Sequence, residues 1–67
     1  EEGKAEAIVK RLYEYYLAHP ERMPQEYVDI AQTEDTARAV ADYISGMSDR
    51  YAVSLCEELL IPKFWQL

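Results

Sequence analysis

The chain has 67 residues, with 13 acidic against 7 basic side chains, a net charge of −6, one cysteine and one histidine. At that length it forms at most one small domain, which buries only about 60% of its unfolded surface and is marginal unless stapled, metal-bound or packed on something larger. A lone cysteine makes no internal disulfide, one His with one Cys falls short of a zinc site, and the acidic excess disfavours a nucleic-acid binder.

Residues 2–19 carry the pattern of a first helix, with Ile8, Leu12 and Tyr15 in one apolar row and Val9, Tyr13 and Tyr16 in a second beside it. That is wider than one surface contact requires. Glu6, Lys10 and Glu14 stand at i, i+4 spacing on a solvated face. Pro20 stops the helix, and His19 in its last turn reads as a cap or surface residue rather than a ligand. Residues 20–24 form a connector. Pro24 then opens a short second helix through Gln32, with Tyr27, Val28, Ile30 and Ala31 as its apolar contacts.

Thr33 is the expected N-cap of the last and longest element, residues 33–60, with Glu34 and Asp35 in its first turn. Ala37, Val40, Ile44, Met47, Tyr51 and Leu55 fall in one narrow stripe that keeps its phase across Gly46. The pattern therefore predicts one long helix, with room for a bend at Gly46-Met47. Glycine inside a helix costs about 1 kcal/mol relative to alanine, which a close crossing by another backbone would offset. The competing reading starts a new helix at Ser48 and leaves the same residues facing inward. The expected fold is all-α, a small three-helix bundle of two helices plus the long one, with Val40, Ile44, Met47, Tyr51 and Leu55 in its core. Cys56, off the stripe, is expected to be a half-buried small side chain rather than a reactive thiol.

Arg38, Asp42, Ser45 and Asp49 share the side opposite the stripe. Arg38 and Asp42, one turn apart, can pair. Asp42 and Asp49 are two turns apart, about 10.5 Å along the axis, too far to share one proton or ion. This face reads as solvated, or as docking on a domain outside the chain. Ile61-Pro62 ends the helix, and the apolar tail of residues 63–67 is expected to fold back or lie against another chain. No Gly-rich phosphate loop, Ser/His/Asp set or CxxC occurs. No apolar run approaches the roughly 20 residues that span a bilayer. With six tyrosines and a tryptophan in a chain that begins at Glu1, we expect a piece of a longer protein, with some aromatics facing what is missing, and a reducing, cytoplasmic setting.

From Ala41 to Ala52 the chain reads ADYISGMSDRYA, followed by Glu57-Glu58-Leu59-Leu60 and Pro62. This resembles the C-terminal, phosphohydrolase-associated segment of bacterial deoxyguanosinetriphosphate triphosphohydrolases of the HD superfamily. The usual form there is DYIAGMTDRYA, from which Ser45 and Ser48 depart by small changes. The resemblance is strong from Ala39 onward, whereas residues 1–35 fit only in being helical with a Pro-Tyr turn. It implies that residues 1–67 are a single C-terminal helical module of an enzyme that cleaves a dNTP to deoxynucleoside and triphosphate. The divalent metal of that enzyme, Mg²⁺ or Mn²⁺, is held by His and Asp residues of an HD core. His19 is followed by Pro20, so no catalytic or metal residue carries over, and no cofactor is expected in this chain. The implied partners are the missing HD domain of the same chain and further copies of the parent, with no membrane and no nucleic acid. Asp42, Tyr43, Asp49, Arg50 and Tyr51 are the candidates to face substrate or catalytic core, Arg50 foremost because a guanidinium clamps phosphate bidentately. The alternative is a non-enzymatic helical interaction or oligomerisation module.

Overall fold

The computed structural model describes residues 2–60, so the expected helix end at residues 61–62 and the apolar tail of 63–67 lie outside the described residues. Among the described residues there are four α-helices and no strand: α1 (Glu2–Ala18), α2 (Gln25–Thr33), α3 (Thr36–Ser45) and α4 (Asp49–Leu60). A single 3₁₀ turn, Pro20–Arg22, joins α1 to α2. The all-α class is as expected, but the bundle has four helices rather than three.

The boundaries follow from local chemistry. Proline disfavours helical dihedrals in the residue before it, and His19 accordingly leaves the helix at φ −133° and ψ 62°. The 3₁₀ turn closes when the Met23 N–H donates to the Pro20 carbonyl at 3.1 Å. Pro24, extended at φ −56° and ψ 151°, caps α2, and its carbonyl accepts from the N–H groups of Tyr27 and Val28. The N-cap of α3 is Asp35, not Thr33. The Asp35 carboxylate accepts from the Arg38 N–H at 3.1 Å, while Thr33 finishes α2 with its hydroxyl donating to the Asp29 carbonyl. An aspartate in extended backbone is the stronger cap, and it left Thr33 free to complete the preceding turn.

The single long helix is replaced by two. The N–H groups of Gly46 and Met47 donate to the carbonyls three residues back, Tyr43 and Ile44, at 3.3 and 3.0 Å. Such bonds tighten and end a last turn. Ser48 then caps α4, its hydroxyl accepting from the Tyr51 N–H at 3.1 Å, so the competing reading of Ser48 is the one the chain adopts. Among the described residues, no other helix crosses close to Gly46. A Cβ on it would meet only the Asp42 and Tyr43 carbonyl oxygens of its own chain, both at an ordinary 3.7 Å, and its φ is −85°.

α1 lies against both α3 and α4, and α2 packs on α3. The extents are 40 × 27 × 16 Å. The shortest matches two helix layers, since two cylinders of Cα radius about 2.3 Å at an interaxial distance of 8–10 Å are about 14 Å deep. The core consists of Leu12 and Tyr16 from α1, Met23 from the connector, Ala39, Val40 and Ile44 from α3, and Ala52 and Cys56 from α4. Leu12 and Val40 are fully enclosed. Of the stripe expected inside, Val40 and Ile44 are buried and Met47 and Leu55 are half-buried against the core. Tyr51 is a correction: it is 50% exposed. The break turned the inward face of α4 to Ala52 and Cys56, so Cys56 is also buried rather than half-buried.

Urea denaturation tests this packing. Leu12→Ala should cost about 2–5 kcal/mol, the range for deleting a fully enclosed leucine, and Ser48→Ala about 1 kcal/mol for the lost cap. Gly46→Ala should lose nothing and gain up to about 1 kcal/mol through a stiffer unfolded chain. A loss there as large as that for Leu12 would reveal a backbone contact at Gly46.

Candidate functional site

Tyrosine rings run across three helices. Tyr15 and Tyr16 on α1 meet edge to face at 5.1 Å, Tyr16 meets Tyr43 on α3 edge to face at 5.2 Å, and Tyr43 lies 5.0 Å from Tyr27 on α2, tilted by 43°. Such pairs contribute about 0.5–1.5 kcal/mol each beyond their buried area. At the outer end the Arg22 guanidinium donates to the Tyr15 hydroxyl at 2.7 Å, and the His19 ring lies 5.1 Å from that of Tyr15, tilted by 48°. His19 Nδ1 faces the Glu21 carboxylate at 3.8 Å, on the surface.

At the inner end Tyr27 and Tyr43 join Gly46, Met47, Ser48 and Tyr51 around a cleft of about 410 Å³ at the α3–α4 turn. Its lining is aromatic, with hydroxyl tips and no charge. Burial first, then hydrogen bonding with Tyr51 and the nearby Tyr16 phenol, pushes the Tyr43 hydroxyl well above the usual tyrosine range. Burial likewise raises Tyr16, partly offset by hydrogen bonding with Tyr43. These phenols are therefore neutral hydrogen-bonding groups at physiological pH.

The five residues singled out from sequence fall in three places. Tyr43 and Tyr51 share the cleft. Asp42 faces Arg38 across 4.0 Å on the exposed side of α3, and Arg38 also reaches Glu34 at 4.0 Å. The expected Arg38–Asp42 pair thus forms, as an exposed pair worth less than about 1 kcal/mol. Asp49 and Arg50 border a separate groove of about 420 Å³ on α4, with Val53, Ser54 and Glu57. The carboxylates of Asp49 and Glu57 in that groove oppose an anion at Arg50. Among the described residues, no three His, Cys, Asp or Glu side chains come together as metal ligands would.

Tyr16 and Tyr27 belong to the aromatic assembly, yet sequence reasoning gave them only as apolar contacts. The signal was the count of six tyrosines. Which of them meet depends on how α1, α2 and α3 pack, which spacing within one helix does not show.

Fold and site together define a small all-α domain built around tyrosine contacts. The chain belongs to the phosphohydrolase-associated domain family, whose sequence model matches residues 1–58, so the likeness extends through α1 and α2 rather than being confined to the C-terminal half. It is 40% identical over 65 residues to a deoxyguanosinetriphosphate triphosphohydrolase-like protein of Caldanaerobacter subterraneus subsp. tengcongensis, a match covering 97% of this chain and 19% of that protein. A protein of the same description from Clostridium tetani is 40% identical over 63 residues, covering 94% of this chain and 18% of its own length. One from Bordetella pertussis is 46% identical over 50 residues, covering 75% and 13%. The chain thus spans about a fifth of the length of the first two relatives. No solved structure matches.

The raised phenols make a pH prediction. Native Tyr43 and Tyr16 hold their protons to higher pH than the unfolded chain, whose tyrosines ionise near 10.0. Their contribution is fully present below about pH 10 and is lost as pH rises through the folded values, because the unfolded state then binds fewer protons. Tyr43→Phe should flatten the alkaline fall in urea midpoint above about pH 10, with no difference in slope below about pH 9. Equal falls in both forms would mean that these phenols are not its source.

Proposed function

We propose that the chain is the C-terminal helical module of a dNTP triphosphohydrolase, itself non-catalytic, packed on an HD catalytic domain of the same polypeptide. In this reading the full-length protein cleaves dGTP or another dNTP to the deoxynucleoside and triphosphate. One observation carries it: 97% of this chain matches only 19% of a relative described as a deoxyguanosinetriphosphate triphosphohydrolase-like protein. Phosphoryl chemistry of that kind draws on a divalent ion, Mg²⁺ or Mn²⁺, for charge stabilisation and an activated water. In this reading that ion is held by the catalytic domain outside residues 1–67.

The module contributes packing. Its tyrosine-lined cleft is uncharged, and its one guanidinium on α4, Arg50, shares a groove with the carboxylates of Asp49 and Glu57, so neither is built to hold a polyphosphate. Assembly of the full-length protein into a homo-oligomer and a cytoplasmic setting belong to the same reading. No described helix is long and apolar enough to cross a membrane.

Incubation with dGTP and Mg²⁺ or Mn²⁺ tests the assignment. The isolated 67-residue chain should release no triphosphate, whereas the full-length protein should. Robust turnover by clean isolated chain would place the chemistry here and end the proposal.

A further inference from the structure

The side of α1 next to its core face is apolar and open. Val9 is 46% exposed and Leu17 38% exposed, with half-buried Tyr13 one turn from each. At about 100° per residue these three lie within about 80° of one another, adjoining the Leu12–Tyr16 row that enters the core. The core therefore uses only part of the apolar arc of α1. Exposed Glu6, Lys10 and Glu14 border the strip, giving an apolar centre with a charged rim.

We propose that the Val9–Tyr13–Leu17 strip is the docking surface for the rest of the same polypeptide, an apolar face of the body outside residues 1–67. The inference rests on the reading of this chain as one module of a longer hydrolase. Two facts select that occupant over a second copy. The matched relatives are about five times longer than the matched segment, which is 19% of the Caldanaerobacter protein, so most of such a polypeptide lies outside the module. The strip is also small, about 12 Å long from Val9 to Leu17, eight helical rises apart. A stable dimer needs about 800 Å² from each partner, well beyond three side chains. Within one polypeptide the effective concentration is in the millimolar range, and a small apolar patch suffices.

Thiol labelling of the full-length protein tests this surface. Val9→Cys and Leu17→Cys, each at an exposed site that tolerates substitution, are compared with Lys10→Cys on the solvated rim, and each peptide is quantified by mass spectrometry. The strip positions should label roughly tenfold more slowly or less, because thiolate attack requires access. Labelling at the Lys10→Cys rate at both positions would overturn the proposal. So would protection that vanishes on dilution as sedimentation shows dimer becoming monomer, which assigns the strip to a second copy. dGTP hydrolysis by the unsubstituted full-length protein is read separately. Protection without hydrolysis keeps the strip and removes the enzymatic reading, and hydrolysis without protection removes the strip alone.

Discussion

The domain depends on the contact between the Leu12–Tyr16 face of α1 and the Ala39–Val40–Ile44 face of α3. Helices shorter than about 12–15 residues are marginal in water, and α2, α3 and α4 have 9, 10 and 12 residues. None persists on its own propensity, so each exists because it buries a face against its neighbours. α1, at 17 residues the longest among the described residues, is the support that both α3 and α4 pack against. Leu12 and Val40 mark the place where this burial is complete. Fully burying such a side chain is worth about 1.5–3 kcal/mol, a large share of the stability available to so short a chain.

A core of this size leaves little room for ordinary aliphatic packing, and the tyrosines extend it. An aromatic ring supplies a large apolar area while its hydroxyl remains satisfied at the surface. Tyr43 is the junction, touching Tyr16 on α1 and Tyr27 on α2 at once, so one residue of α3 couples both neighbouring helices. Among the described residues no buried side-chain polar atom lacks a hydrogen-bond partner, as expected when phenol tips stay near water. The cleft beside Tyr51 follows from the same arrangement: the turn at 46–48 separates α3 from α4 just where the rings end.

Much of this was legible from residue spacing. The apolar rows of α1, the stop at Pro20 and the start near Pro24 follow from proline chemistry and a period of 3.6, and they are where the sequence placed them. The break at 46–48 was not read as a break, because α4 offers Tyr51, Ala52, Val53, Leu55, Cys56, Leu59 and Leu60, an apolar arc so broad that several registers look in phase with α3. Packing against α1 selected the register with Ala52 and Cys56 inward; their small size permits a close approach that Tyr51 would prevent. The local cue was present in Ser48, whose hydroxyl outcompetes continuation of the helix once Gly46 has weakened it. The site was less legible than the fold. Residues sharing a short motif, Asp42, Tyr43, Asp49, Arg50 and Tyr51, are distributed over three surfaces: the turn brings Tyr43 and Tyr51 together, while helical periodicity sends Asp42, and Asp49 with Arg50, elsewhere.

Charge is confined to the exterior: among the described residues no polar or charged side chain is buried. The acidic excess therefore does not shape the core, but it does shape what the module can touch. A surface of net charge −6 repels a free triphosphate at distances within the Debye length, about 8 Å at physiological salt. Direct recognition of a nucleotide by this surface would require a local reversal of sign. Arg50 does not provide one, since Asp49 and Glu57 share its groove. What the exterior offers without electrostatic opposition is its apolar side chains, and the side of α1 outside the core supplies Val9 and Leu17. On the reading proposed above, a module with an anionic surface and an exposed apolar strip contributes through contact with protein rather than with substrate, in keeping with a fold whose own stability already depends on what its helices bury.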